Sequence, residues 1–126
     1  MAKESSGRRV IVLGASPKPL RYAFKAIEML RKHGHEPVPV NPAYDEIVGL
    51  KCYREITHVP RPVDTITVYL GKPRSDPLIE QITAAAPKRI ILNPGAENDE
   101  HARVARARGI EVVEGCTLVM LTIGTF

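Results

Sequence analysis

The sequence is poor in the residues on which several functional classes depend. It contains no tryptophan, and Phe, Trp and Tyr together make up 5% of its 126 residues. Binders of single-stranded nucleic acid stack bases on aromatic rings set among cations. This chain has few rings, and its Lys and Arg residues, which leave a formal charge of +4, are spread along it rather than gathered into a stripe. No nucleic-acid partner is expected, and a small anionic ligand met by a few cations is the more economical reading. Only two cysteines occur, Cys52 and Cys116, which is no disulfide framework. His33 and His35 stand two apart with no third ligand nearby, so no metal site is expected. No apolar run approaches the roughly 20 residues of a membrane-spanning helix. Met1 to Arg9 is polar and lacks the apolar stretch of a secretory signal. These absences lead to the expectation of a cytoplasmic protein without membrane contact.

What is present is the composition of one globular domain, with 44% hydrophobic and 25% charged residues. Residues 1–8 are expected to form a flexible tail and residues 9–126 the domain. Val10-Ile11-Val12-Leu13 is a continuous apolar run of the kind found in a central parallel strand buried on both faces. Gly14 to Pro19 breaks it, and a helical period then runs from Arg21 through Ala23, Ile27 and Leu30 to a stop at Gly34. Glu36 to Val40 reads as the second strand. Tyr44 to Leu50 is assigned one helical turn, Lys51 to Tyr53 a short strand, and Asp64 to Leu70 a further strand. Asp76-Pro77 has the form of a helix start, with Leu78, Ile82 and Ala85 as its apolar stripe. Arg89 to Leu92 is a strand, Glu97 to Arg108 a helix, Ile110 to Val113 the last strand, and Cys116 to Leu121 a final short helix. Strands alternating with helices predict a three-layer, Rossmann-like α/β domain with a mostly parallel central sheet.

Open parallel sheets bind ligands beyond the carboxyl ends of their strands, at the topological switch point. The turns expected to converge there are Gly14 to Tyr22, Asn41-Pro42, Tyr69 to Lys72 and Asn93 to Asn98. In the first, Gly14 permits a tight turn and close backbone approach, and the next helix begins with unpaired N–H groups. Ser16 adds a hydroxyl, and Lys18 and Arg21 add charge. This is the chemistry of a phosphate cradle. The G-x-G-x-x-G fingerprint of dinucleotide binders is missing, however, and no Walker A lysine follows the strand. Asn41 stands where an NAD site would want Asp or Glu, and it would tolerate a phosphorylated ribose that a carboxylate would repel.

A set of motifs occurs in order along the chain. They are Gly14-Ala15-Ser16-Pro17, Arg21-Tyr22, Gly34-His35, Pro39-Val40-Asn41-Pro42, Gly49, Tyr53, Asn93-Pro94-Gly95-Ala96-Glu97-Asn98 and Cys116-Thr117-Leu118. With them the chain resembles the small, stand-alone CoA-binding proteins, which are similar to the nucleotide-binding domain of the succinyl-CoA synthetase α-subunit. The resemblance implies coenzyme A as ligand. It implies that Ala15, Ser16 and Lys18, with Arg21 close by, meet phosphate groups, and that Val40, Asn41 and Pro42 line the adenosine end. The synthetase's phosphorylated histidine belongs to a further domain that is not within these residues, so ligase activity is not carried over.

Other residues have two readings. Tyr22 is either a ligand contact or structural, whereas Phe24 falls on the apolar side of its helix. Tyr69, Asn93 and Gly95 are expected at the pocket. Glu97 could serve as a base near a thioester, but an acidic group at a helix start has a structural use. Cys116 could be a nucleophile, although buried cysteine is more often a small hydrophobe. The histidines His33, His35, His58 and His101 form no triad and are read as surface or structural. The main reading is a CoA-binding module, non-catalytic or regulatory, with no catalytic residues assigned. The alternatives are a small enzyme acting on an acyl-CoA through Glu97 or Cys116, and an NAD(P)-binding redox sensor. A homodimer or a protein partner stays open.

Overall fold

The computed structural model describes residues 7–126; the rest of the expected tail lies outside them. The chain runs through β1 (Arg9–Leu13), α1 (Tyr22–Lys32), β2 (Glu36–Val40), β3 (Glu46–Ile47), β4 (Leu50–Lys51), β5 (Thr65–Val68), α2 (Lys72–Ser75), α3 (Ile79–Ala84), β6 (Arg89–Leu92), α4 (Asp99–Ala107), β7 (Glu111–Glu114) and α5 (Thr117–Ile123). Single 3-10 turns lie at Ile56–His58 and Asp76–Leu78. Five strands form one parallel sheet in the order β2-β1-β5-β6-β7. The chain reverses direction across the sheet between β2 and β5, which puts the switch point beside β1.

The apolar run of β1 is buried on both faces. Val10 and Val12 join Ala23, Ile27 and Leu30 of α1 and Leu121 of α5 on one side. Ile11 and Leu13 join Ile66, Val68, Ile82, Ala102 and Ala105 on the other, under α3 and α4. Each fully buried Val, Leu or Ile among them stabilises the fold by roughly 1.5–3 kcal/mol. The three-layer α/β architecture expected from the alternation of elements is the one found.

β2 carries two prolines and is an edge strand, the place where a missing N–H is tolerated. The Pro39 carbonyl accepts from the Tyr53 N–H on the outer side at 3.0 Å. A residue's N and C=O share one side of a strand, so Pro39 and Pro37 both turn their ring nitrogens away from β1.

The expected helical turn over Tyr44 to Leu50 is replaced by a hairpin. β3 and β4 pair antiparallel through Val48 and Gly49, at φ 53° and 75°. Two positive φ values define the tight turn suited to hairpins. Valine is a rare occupant of the first position, which is why the sequence did not signal it. Asp76 opens a 3-10 turn that runs directly into α3 rather than capping an α-helix. α2 begins four residues earlier with Gly71 at its N-cap, and Asp76 pairs with Lys72 and accepts from the Asn98 amide at 2.8 Å. The helix expected from Glu97 starts at Asp99, where Asn98 caps it by accepting from the His101 N–H at 3.0 Å.

Two further contacts brace the domain away from the strand ends where a ligand is expected. The Phe126 carbonyl accepts from the guanidinium groups of Arg8 and Arg89 at 2.8 and 2.7 Å. Arg89 lies 4.4 Å from the Phe126 ring centroid, and its Nε donates to the Thr65 hydroxyl. His101 is fully buried, and neither ring nitrogen has a partner among the described residues. Burial lowers its pKa below the ordinary 6.5, with the Asp76 carboxylate opposing that shift.

The folded protein therefore holds His101 neutral where the unfolded chain would take up a proton. Stability should be fullest above about pH 6.5 and fall as the pH drops below it. His35, also lowered by burial and then by Arg8, acts in the same direction. Denaturant unfolding across this range should show a shallower fall for His101→Leu than for the parent; an unchanged slope would remove His101 as a contributor.

Candidate functional site

The turn after β1 is stitched to the end of β2. The N–H groups of Gly14 and Ala15 both donate to the Val40 carbonyl, at 3.1 and 3.3 Å. In return the Asn41 side-chain amide donates to the Ala15 carbonyl at 2.8 Å, and its oxygen accepts from the Ala43 N–H at 2.8 Å. Asparagine is required here because one side chain must donate and accept at once. An aspartate could not donate to Ala15. Gly14 lies at φ +85°, and a Cβ built on it would stand 2.9 Å from the Leu70 side chain, so both backbone conformation and space favour glycine.

Two clefts open on either side of this turn, and Gly14 lines both. The first, of about 420 Å³, is bounded by Val40, Asn41 and Pro42 at the end of β2, and by Leu70, Arg74 and Leu78 from the segment after β5. Arg54 and Glu55 also reach it. Arg54 is paired with Asp45 at 2.9 Å. The second cleft, of about 350 Å³, is bounded by Ser16, Leu20, Arg21, Tyr22, Tyr69 and Pro94. It lies at the start of α1, where no side chain caps the helix and no acidic residue stands in the first turn. With the Gly14 and Ala15 amides committed to Val40, the anion-facing donors are this uncapped turn and the Ser16 hydroxyl. That hydroxyl already accepts from the Lys18 N–H at 3.1 Å and keeps its own proton to donate.

Of the residues singled out in the sequence, Val40, Asn41 and Pro42 gather at the first cleft and Ser16, Arg21, Tyr22 and Tyr69 at the second. Ala15 is buried beneath the turn, and Lys18 is exposed on it. Phe24 is half-buried on α1. Asn93 turns inward. Its amide nitrogen donates to the Thr67 hydroxyl at 2.7 Å and the Val68 carbonyl at 2.9 Å, and its oxygen accepts from the Thr117 N–H at 2.9 Å. It thereby joins β5, β6 and the start of α5. Gly95 is exposed, and its N–H donates to Glu97 at 3.0 Å. Tyr69 contributes its ring to the second cleft. Its hydroxyl is buried beside Thr67 and Thr117, and burial pushes its pKa up to about 12, with those two hydroxyls opposing the rise. Cys116 is half-buried and lines neither cleft, and nor does Glu97.

Leu20 and Leu70 lie within turns expected at the strand ends without having been singled out, and the residues that sequence reasoning missed are Arg54, Arg74 and Leu78. Arg74 lay ahead of the assigned helix start at Asp76. Placing the start at Gly71-Lys72-Pro73 instead, with proline near the first helical position, would have put Arg74 on the first turn facing the strand ends.

A parallel sheet of this order, with paired clefts at its switch point and an uncapped helix N-terminus, is a doubly wound α/β domain of the kind that places ligands at the carboxyl ends of its strands. The model of the CoA binding domain family matches residues 8–122, and the chain belongs to that family. It is similar to the uncharacterized protein YneT of Bacillus subtilis, at 24% identity over 84% of this chain and 78% of the relative. A segment covering 48% of the chain is 30% identical to 9% of an ADP-forming acetate–CoA ligase from Methanocaldococcus jannaschii. Among solved structures, an uncharacterized protein superposes with a TM-score of 0.91 at 41% identity, over 96% of this chain and 99% of the other. A dinucleotide-forming acetyl-coenzyme A synthetase from Candidatus Korarchaeum cryptofilum gives a TM-score of 0.74 at 26% identity, over 86% of this chain and 25% of the synthetase.

Removing the Asn93 amide leaves the buried Thr117 N–H without its partner and takes one of two bonds from the Val68 carbonyl, which keeps the Asn93 backbone N–H. Asn93→Ala should lower the unfolding free energy by about 1–3 kcal/mol, measured by urea denaturation. A change near zero would mean that these groups find other partners. Asn41→Asp should loosen the turn and set a carboxylate at the end of β2, cutting affinity for a phosphorylated nucleotide by roughly tenfold or more in an equilibrium titration.

Proposed function

We propose that this protein binds coenzyme A across the switch point, as a binding or regulatory module without catalysis of its own. The observation that carries this reading is the pair of clefts joined at Gly14, with an uncapped helix N-terminus at the second and no carboxylate at the end of β2. The family membership supports the choice of CoA among nucleotides.

The residues present fit such a ligand. The first cleft accommodates an adenosine between Asn41 and Leu78. Ser16, Arg21 and the first turn of α1 supply donors and charge for a diphosphate. Arg74, exposed and without an ion pair among the described residues, stands at the adenosine cleft, where a 3′-phosphate would add negative charge. When bound, CoA supplies a thiol for acyl chemistry. The chain's own residues bind, orient and neutralise charge. The positions of Glu97 and Cys116, outside both clefts, favour this reading over an acyl-CoA enzyme. Asn41 and the missing glycines favour it over an NAD(P) sensor.

The assignment of the cations is testable by titration with CoA and dephospho-CoA. Lys18→Ala with Arg21→Ala should weaken both ligands alike, roughly tenfold or more, because these residues face the diphosphate. Arg74→Ala should weaken CoA and leave dephospho-CoA nearly as before. No saturable binding of CoA at millimolar concentration by the folded parent would sink the proposal.

A further inference from the structure

The polar side chains that border the first cleft are Asn41, Arg54, Glu55, Arg74 and Gln81. Most of them are engaged elsewhere. Asn41 bonds to Ala15 and Ala43, and Arg54 is held by Asp45 through two bonds of 3.0 and 2.9 Å. Glu55, an exposed carboxylate, accepts from the Thr57 hydroxyl. Gln81 is different. It is half-buried on α3, and its side-chain amide makes no hydrogen bond among the described residues. It borders the cleft and, with Ile56, a smaller recess of about 70 Å³. A half-buried amide gives up part of its hydration and gains nothing in return until a ligand pairs with it.

Its place along the helical segment bears on what that ligand group is. Arg74, Pro77, Leu78 and Gln81 all border the cleft, at the spacing that puts residues of successive turns on one helix face. That face runs from a cation at Arg74, over the apolar side chains of Pro77 and Leu78, to the amide at Gln81. Its ends lie about 10 Å apart along the axis, at roughly 1.5 Å per residue. A 3′-phosphorylated adenosine carries the same groups in the same order over a similar length: a phosphate, then a ribose and a flat purine, then an exocyclic amine beside a ring nitrogen.

We infer that Gln81 reads the amino edge of an adenine base in the first cleft and makes the protein selective for an unsubstituted adenine nucleotide. The inference rests on the proposed nucleotide reading and names the residue that selects the base. A glutamine amide carries a donor and an acceptor side by side, which matches adenine's exocyclic amine and the neighbouring ring nitrogen as a bidentate pair. Glu55 can accept from the amine but has no hydrogen for the ring nitrogen. Leu13, Val40 and Ile56 line the same cleft, and an apolar surround that excludes water strengthens such a pair.

The test is an equilibrium titration of the full chain with CoA and with etheno-CoA, in which a two-carbon bridge ties the exocyclic amine to the adjacent ring nitrogen and removes the amine's hydrogens. The parent should bind CoA roughly tenfold or more tighter than etheno-CoA. Gln81→Met keeps the side-chain length and the helix while removing the amide. It should weaken CoA by about that factor and leave etheno-CoA nearly unchanged, so that the ratio falls toward one. Gln81→Ala, which favours the helix, should give the same pattern, and Glu55→Gln should keep the parent's ratio. Equal binding of the two ligands by the parent would overturn the assignment and leave the nucleotide reading standing. So would an equal loss of both ligands in the Gln81 variants, a ratio that survives in them, or a ratio that collapses in Glu55→Gln. No saturable binding of CoA by the folded parent would overturn the nucleotide reading, and the base assignment with it.

Discussion

The geometry of the ligand edge depends on one carbonyl. Val40, at the end of β2, accepts from the N–H groups of both Gly14 and Ala15, and Asn41 returns a bond to Ala15. These contacts fold the first turn over the gap between β1 and β2. They hold Gly14 against Leu70, and the start of α1 is left without a capping side chain. Both clefts exist because this turn is a ridge between them. If it relaxed, the uncapped helix end at the second cleft would lose the wall that Gly14 gives it.

Asparagine recurs as the connector along this edge. Asn41 bridges the first two strand ends. Asn93 ties β5 and β6 to the start of α5. Asn98 donates to Ser75 and Asp76 while capping α4. Each position needs a donor and an acceptor on one short side chain, which a carboxylate cannot supply and a hydroxyl supplies with less reach. The amides that a sequence reader assigns to ligand recognition are largely occupied in holding the loops. Arg21 and Arg74 are the cations at the clefts whose side chains make no hydrogen bond or ion pair among the described residues.

The fold was legible because its signals are periodic and local. The β1 run, the stripe of α1 and the strands at Thr65–Val68 and Arg89–Leu92 announce themselves by apolar spacing, and their alternation dictates a parallel sheet. The site was legible in part. The β1 turn, Asn41 and Pro42 could be placed because they follow strands whose ends are well marked. Arg54 and Arg74 could not, because they reach the clefts from irregular or displaced segments whose course is settled by tertiary packing. Val48-Gly49 was missed for a similar reason, since a β-branched residue at positive φ contradicts local preference and is held there by the hairpin around it. Asn93 was correctly placed beyond a strand end, but the inward rotation of its side chain depends on Thr67 and Thr117, residues distant in sequence that no local pattern brings to it.

The prolines of β2 bear on how the molecule meets its own kind. A sheet edge is a template on which another strand can crystallise, and parallel α/β folds expose two of them. Along β2, an incoming strand finds no hydrogen to accept at Pro37 or Pro39, and Tyr53 already occupies the Pro39 carbonyl. Along β7, it meets Glu111 and Glu114 at either end of the strand, so a second copy would bring like charges together. Both borders of the sheet thus carry features that disfavour pairing with the backbone of a second copy.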